Sequence, residues 1–195
     1  MSNGCVISLK DYWILPSNTS AENLKQVGLA HFKNGAYRDA LASFEAAVLA
    51  YEAAGDAAGR AEMINNIGVV HLKQRHYDAA VTALNEAQAA FGAIGDADRQ
   101  AQTLGNLGDL SAAQRRYKEA ANAYSNAAQL FAGIGERQKQ ADVLRAYSLM
   151  TMRQRDLVTA INLMAESLRV RPKRSLGQQL FYLLLRIVLK LMAGR

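Results

Sequence analysis

The chain repeats itself every 40 residues, and this period constrains the fold more than any other feature of the sequence. In blocks counted from Ala21, a small residue recurs at position 8, an alanine at position 20 and a large residue at position 24. The three columns read Gly28, Gly68, Gly108 and Ser148; Ala40, Ala80, Ala120 and Ala160; and Phe44, Leu84, Tyr124 and Met164. A fixed period of this length is typical of stacked arrays of one supersecondary unit. The sequence therefore predicts a solenoid, a fold whose surface serves to hold other molecules.

Each block divides into two apolar runs with helical spacing, separated by a short polar turn. The turns are Asn34-Gly35-Ala36, Gln74-Arg75-His76, Gln114-Arg115-Arg116 and Gln154-Arg155-Asp156. Blocks are separated by a glycine and an acidic residue, which favour the end of one helix and the start of the next. These pairs are Gly55-Asp56, Gly95-Asp96 and Gly135-Glu136. At the start of the first block, residues 19–22 predict a capping box formed by Thr19 and Glu22.

We therefore expect an all-α protein with four helical hairpins. The predicted segments are an N-terminal extension over 1–20, hairpins over 21–60, 61–100, 101–140 and 141–174, and a C-terminal helix over 175–195. The apolar stretches of the extension are expected to cover the first hairpin, and Trp13 could instead anchor a partner. The single Cys5 excludes an intramolecular disulfide, and no secretory signal is visible in the first 20 residues. These two features predict a cytoplasmic protein.

The order of small, aromatic and alanine positions that recurs from block to block resembles the tetratricopeptide repeat. In the first block Leu24, Val27, Gly28, His31, Ala40, Phe44 and Ala47 stand at the signature positions of that family. In the second block Ile64, Ile67, Gly68, His71, Ala80, Leu84 and Ala87 do so. The usual period of the family is about 34 residues, so the longer period here is similar to its long-repeat branch. The fourth block departs most, with Ser148, Leu157 and Ser167.

The resemblance implies that the first helix of each hairpin lines a groove that binds a peptide segment or a protein surface. The corresponding residues are Lys25, Gln26, Leu29, Lys33, Asn65, Asn66, Val69, Lys73, Asn106, Asp109, Arg145, Leu149 and Arg153. The asparagine side chains carry a donor and an acceptor each, which suits the backbone of an extended peptide. We expect Lys25, Lys33, Lys73 and Arg153 to favour an acidic ligand; the alternative is that the lysines only solubilise the surface. Leu29 stands where chaperone-tail binders of the family need asparagine, so that specificity is not favoured.

The C-terminal segment over 176–192 predicts a helix with more apolar surface than one buried face can hide. Residues 136–195 also carry 12 basic and 4 acidic side chains, whereas residues 1–135 carry 11 basic and 13 acidic ones. The segment is too short and too charged to span a bilayer, but it suits an anionic membrane surface or a membrane complex. Candidate contacts are Leu180, Phe181, Leu184, Leu185, Arg186, Val188 and Lys190. A capping helix with a modest homodimer contact is the other interpretation.

The sequence offers no catalytic machinery. His31 and His71 share one repeat position that is expected to be structural, and His76 lies in a turn. No phosphate-binding loop, nucleophile motif or carboxylate pair is present, and we expect no enzymatic activity, metal or cofactor. Nucleic-acid binding is not favoured, because aromatic residues are not interleaved on a basic face. The leading hypothesis is a protein-binding adaptor, and the alternative is a peripheral subunit or assembly factor of a membrane complex.

Overall fold

The computed structural model describes residues 20–193, and within that range the protein consists of nine α-helices and no strand. The helices are α1 (Ala21–Lys33), α2 (Tyr37–Ala53), α3 (Ala57–Lys73), α4 (Tyr77–Ala93), α5 (Ala97–Ala113), α6 (Tyr117–Gly133), α7 (Arg137–Arg153), α8 (Leu157–Val170) and α9 (Leu176–Ala193). The first eight form four consecutive antiparallel hairpins, and each hairpin packs mainly on its neighbours. The prediction of an all-α solenoid with four hairpins and a C-terminal helix is confirmed. The predicted role of the N-terminal extension concerns residues outside the described range.

We call α1, α3, α5 and α7 the A helices, and α2, α4, α6 and α8 the B helices. The turns inside the hairpins fall at the predicted positions, because three residues separate the end of each A helix from the start of its B helix. The A helices α3, α5 and α7 begin four residues before the blocks counted from Ala61, Ala101 and Ala141, and each is 17 residues long. The additional length of the repeat thus extends both helices of the hairpin.

Several helices begin after a residue whose side chain accepts a hydrogen bond from a backbone N–H group of the first turn. The Asp56 and Asp96 side chains accept hydrogen bonds from the backbone N–H groups three residues later, at 2.8 and 3.0 Å. At α1, however, the predicted capping box is wrong. Ser20 is the N-cap residue and accepts from the Asn23 N–H at 3.3 Å. Glu22 is therefore one position too early to reach back to the cap, and its carboxylate instead accepts a hydrogen bond from the Tyr51 hydroxyl at 2.9 Å.

The core of each hairpin is a close approach between A and B helices at the recurrent small residue. A Cβ atom on Gly28, Gly68 or Gly108 would lie only 2.5–2.7 Å from the large residue at position 24 of the same hairpin. Because those large residues are themselves almost fully buried, helix separation is set by the absence of a side chain at position 8. Phe44 also packs against Met63 and Val70 of the next hairpin, so the same residue joins neighbours.

The fourth hairpin departs from this arrangement and joins its helices with different chemistry. Ser148 replaces the glycine, and its hydroxyl donates to the Ala160 carbonyl oxygen at 2.7 Å. Ser167 replaces an alanine and donates to the Ala141 carbonyl oxygen at 2.7 Å. Both serines are fully buried or nearly so. The two departures from the repeat pattern are thus satisfied hydrogen-bonding groups that tie α8 to α7.

Candidate functional site

The predicted groove positions lie along the A helices, and between α5 and α7 they line a cavity of about 370 Å³. Its lining residues are Gln102, Gly105, Asn106, Asp109, Tyr124, Phe131, Lys139, Asp142, Val143 and Ala146. An adjoining cavity of about 250 Å³ is lined in part by Asp109, Leu149 and Arg153. Four predicted residues, Asn106, Asp109, Leu149 and Arg153, are therefore brought together over the third and fourth hairpins. We call this surface, together with the A-helix residues that continue it over the first two hairpins, the A-helix groove.

Toward the first hairpin the groove is narrower. Leu29, Asn66 and Val69 line a cavity of only about 60 Å³, next to the rings of Phe32 and Phe44. These three predicted residues meet between α1 and α3 and offer two apolar side chains and one amide. The cavities at the third and fourth hairpins are therefore larger than this one.

Two of the predicted asparagines already hold the hairpins together. The Asn65 side-chain carbonyl accepts hydrogen bonds from the Asn106 amide at 2.9 Å and from the Thr103 hydroxyl at 3.1 Å. The buried Thr103 hydroxyl has one proton and also lies 2.9 Å from the Arg99 carbonyl oxygen, so the Asn106 amide is the donor that orients the Asn65 side chain. The Asn65 NH₂ group and the Asn106 carbonyl oxygen keep hydrogen-bonding capacity for a ligand.

Tyr124 is a groove residue that the sequence interpretation assigned only to the core. Its hydroxyl donates to the Asp109 carboxylate at 2.6 Å, while its ring rests on Gly108. Burial, together with that hydrogen bond and the negative charge of Asp109, raises the pKa of the Tyr124 hydroxyl. The phenol therefore stays neutral and holds the Asp109 carboxylate at the wall of the cavity.

The groove cations divide into paired and unpaired ones. Lys25 contacts the Glu62 carboxylate at 2.8 Å; burial opposes its charge, but the attraction of Glu62 and Glu22 prevails and raises the pKa of the Lys25 amine. Lys139, which the prediction did not include, contacts Asp98 at 2.7 Å. By contrast, Lys33, Lys73 and Arg153 are exposed and form no ion pair within residues 20–193. Arg145 is likewise exposed there without an ion pair.

The remaining predicted groove residue, Gln26, donates to the Glu22 carboxylate at 2.7 Å on the exposed face of α1. A separate cavity of about 550 Å³ lies on another face, between α2, α3 and α4, and is lined mainly by apolar side chains and His71. Burial lowers the pKa of the His71 imidazole, and the nearby His76 acts in the same direction. No group of three or more histidine, cysteine or acidic side chains that could hold a metal occurs in the described part of the chain.

Helix α9 packs on α8 through one side only. Leu185 is buried, with 7% of its surface exposed, and contacts Ala165 and Leu168. Its predicted role as a membrane or partner contact is therefore wrong, because the side chain points into the interface with α8. Val188 is half-buried, whereas Leu180, Phe181, Leu184, Arg186 and Lys190 are exposed as the prediction requires.

The uncovered side of α9 is broad and apolar. Its exposed residues are Leu176, Leu180, Phe181, Leu183, Leu184, Ile187, Leu191 and Met192, with exposed fractions from 41% to 83%. The guanidinium groups of Arg174 and Arg186 lie over the Tyr182 ring, 4.9 and 6.0 Å from its centre. None of the described helices is sufficiently long and apolar to traverse a membrane.

Comparison with known proteins agrees with the repeat architecture. Residues 19–93 match the family model of the tetratricopeptide repeat. The fold is similar to the crystal structure of BtubC (BKLC) from P. vanneervenii, with a TM-score of 0.68 and 16% identity over 80% of this chain and 68% of that one. It is also similar to a MamA RS-1 double mutant, with a TM-score of 0.58 and 20% identity over 82% of this chain and 80% of that one. No curated protein matches the sequence significantly. Tetratricopeptide repeats are in general scaffolds for protein interaction, typically without catalytic activity.

Proposed function

We propose that this chain, which contains tetratricopeptide repeats, is an adaptor that holds an extended segment of a partner protein in the A-helix groove. The observation that carries the proposal is the cavity between α5 and α7, where amide, carboxylate and apolar groups converge around about 370 Å³ of space. An extended backbone offers an N–H and a C=O at every residue, which the free valences of Asn65 and Asn106 can pair. The apolar side chains of Val143 and Ala146 can accept a small apolar side chain of the ligand.

The unpaired cations of the A-helix groove favour a ligand that carries acidic side chains. Lys33 and Lys73 lie at equivalent positions of α1 and α3, and Arg153 occupies the same position of α7. Because these cations are exposed and unpaired within residues 20–193, an acidic ligand could bind them without breaking an existing ion pair. Lys25 supports the groove wall instead, since its charge is already balanced by Glu62.

The charge complementarity is tested by the double change Lys33→Glu and Lys73→Glu. The probe is an acidic 12-residue peptide selected by screening a displayed random library for binding to the protein. We expect its affinity to fall at least tenfold, because attraction becomes repulsion at two sites. Isothermal titration at low and physiological salt measures the change. A matched control is Arg137→Glu with Lys173→Glu, which alters the net charge equally away from the groove. Equal losses in the two variants, or no loss in the first, would reject the assignment.

A second candidate role, attachment to a membrane surface, is favoured by helix α9. Eight exposed apolar side chains lie on a helix that contains no acidic residue. Arg186 and Lys190 flank the apolar side, so the helix combines an apolar stripe with cations that suit anionic headgroups. An isologous contact between two copies would bring these cations near each other without acidic side chains from α9 to balance them.

The double change Leu184→Asp and Ile187→Asp tests this role. Both residues are more than half exposed, so the fold and the Leu185 contact with α8 should persist. Sedimentation of the full chain with phosphatidylserine vesicles should show binding for the natural sequence and at least a tenfold loss for the variant. The control Gln179→Asp with Lys173→Asp adds carboxylates outside the apolar side. Unchanged sedimentation of the Leu184 and Ile187 variant would eliminate the membrane role, and a concentration-dependent dimer lost in the same variant would assign α9 to self-association.

A further inference from the structure

The turns within the hairpins carry a feature that the groove does not explain. Arg75, Arg115 and Arg155 each adopt a left-handed backbone conformation, with φ of 62°, 60° and 64°. In the first hairpin the equivalent residue is Gly35, with φ of 75°. Non-glycine residues adopt this conformation at an energetic cost, because the Cβ atom approaches the carbonyl oxygen. Three of the four turns thus carry arginine where glycine would be relaxed.

The turns between hairpins supply an internal comparison. There the left-handed residue is always glycine, at Gly55, Gly95 and Gly135. The backbone hydrogen bonds are the same in both kinds of turn: the N–H of Arg75 donates to the carbonyl three residues earlier at 3.1 Å, and the N–H of Gly55 does so at 3.0 Å. The choice of arginine inside the hairpins is therefore not required by the backbone hydrogen bonding.

The three arginine side chains also have no structural use within the described residues. They are exposed, and none forms a side-chain hydrogen bond or ion pair in the range 20–193. Their neighbour Arg116 differs, since its guanidinium donates to the Glu119 carboxylate at 2.9 Å. A strained backbone position that leaves its side chain free in solvent points to a contact outside the chain.

Around these arginines the turns build a basic edge, which we call the turn rim and define by residues 33–39, 73–79, 113–119 and 153–159. The rim carries nine basic and four acidic side chains, whereas the three turns between hairpins, over 53–59, 93–99 and 133–139, carry three basic and four acidic ones. The positive charge of the repeats is thus concentrated on one edge of the solenoid, with at least two basic residues in every turn. Such an edge attracts an anionic partner.

We propose that the turn rim is a docking surface for an acidic segment of a partner protein. Each turn of the rim also carries one acidic side chain, namely Asp39, Asp78, Glu119 and Asp156. These carboxylates would repel the closely spaced phosphates of a nucleic acid, which carries a charge at every step of its backbone. A polypeptide can place its carboxylates opposite the arginines and avoid the acidic positions. The turn rim shares Lys33, Lys73 and Arg153 with the A-helix groove, and the inference rests on the proposed function to that extent. Arg75, Arg115 and Arg155 belong to the rim alone.

The test compares two triple variants with the full chain. Arg75→Gly, Arg115→Gly and Arg155→Gly together remove three charges and relax three backbone positions. The matched control, Arg137→Gln, Arg169→Gln and Lys173→Gln, removes the same charge outside the turn rim and outside the A-helix groove. The probe is fluorescent poly-L-glutamate of about 20 residues, a length at which it spans several turns at about 3.3 Å per residue. Parallel titrations use single-stranded oligothymidine and phosphatidylserine vesicles.

We expect poly-L-glutamate to bind the natural chain, and the glycine variant to bind at least tenfold more weakly while its thermal midpoint rises. The control variant should lose less than threefold. The proposal is overturned by equal losses in both variants, by absent binding to the natural chain, or by tighter, rim-dependent binding of oligothymidine or vesicles. A lower thermal midpoint of the glycine variant would also overturn it, since the arginines would then be structural. Groove binding of the selected peptide is measured separately on Gly105→Met, a variant whose added side chain fills the cavity between α5 and α7, so failure of one surface does not imply failure of the other.

Discussion

Replacing Gly68 with alanine is expected to lower the free energy of unfolding by about 1–3 kcal/mol. The added methyl group would lie 2.7 Å from Leu84 Cγ and 3.2 Å from the Leu84 backbone nitrogen. Leu84 is fully buried, so neither its side chain nor the backbone of α4 can move away without disturbing the packing. Alanine has the higher helix propensity by about 0.8–1 kcal/mol, and the predicted loss therefore arises from overpacking alone. Denaturant titration followed by circular dichroism measures it.

Gly133 provides the matched control for the Gly68 substitution. It lies at the end of α6, and no heavy atom outside its own chain neighbours and the adjoining backbone of the helix stands within 4 Å of the position where a Cβ atom would be. Gly133→Ala should therefore leave stability unchanged or raise it by about 0.4–1 kcal/mol. Equal effects of the two substitutions would show that position 8 does not set the distance between the paired helices.

The architecture could be predicted from the sequence because every copy of the repeat supplies the same information. The small residue at position 8 and the large one at position 24 meet in the first three hairpins, as they do at Gly108 and Tyr124. The turns also have local causes, since a glycine or a polar residue ends each helix at a fixed place. The prediction of the capping box was wrong because the local sequence offers two possible cap residues. Two adjacent hydroxyl residues, Thr19 and Ser20, could serve as the cap, and the pattern favoured the first of them.

The site was predicted less completely, because its key contacts join residues about one repeat apart. Lys139 contacts Asp98, 41 residues earlier, and Asn106 contacts Asn65, also 41 residues earlier. Alignment of the blocks shows which residues share a position but does not show that one block's position 5 lies beside the next block's position 6. A search for complementary side chains at separations near the period would have found these pairs. It would also have removed Lys25 from the set of free cations, since Glu62 lies 37 residues later.

The error at Leu185 has a different origin. A helix with apolar residues on most of its circumference does not indicate which side meets the preceding helix, because several sides would suit burial. The structure places Leu185, Tyr182 and Leu189 against α8 and leaves Leu184 and Ile187 outside. This orientation is selected by packing against Ile161, Met164 and Leu168 of α8, and the periodicity of the α9 sequence does not reveal that packing.

Filling the groove at Gly105 is expected to abolish most peptide binding without harming the fold. Gly105 lines the cavity between α5 and α7, and a Cβ atom there would meet only Val143 Cγ2, at an ordinary contact distance of 3.8 Å. Methionine at this position would occupy the space that the ligand needs. It would also replace a glycine inside a helix, which favours the helix by about 0.5–1 kcal/mol. The chain should thus become a stable protein with a blocked groove.

The measurement that tests the groove most directly is the affinity of the selected 12-residue peptide for Gly105→Met, with Gly133→Met as the control outside the groove. We expect isothermal titration to show a dissociation constant at least tenfold higher for Gly105→Met, whose thermal stability should be undiminished. The dissociation constant of Gly133→Met should be unchanged. If Gly105→Met binds the peptide as tightly as the natural chain does, the ligand lies elsewhere and the cavity between α5 and α7 is not the binding site.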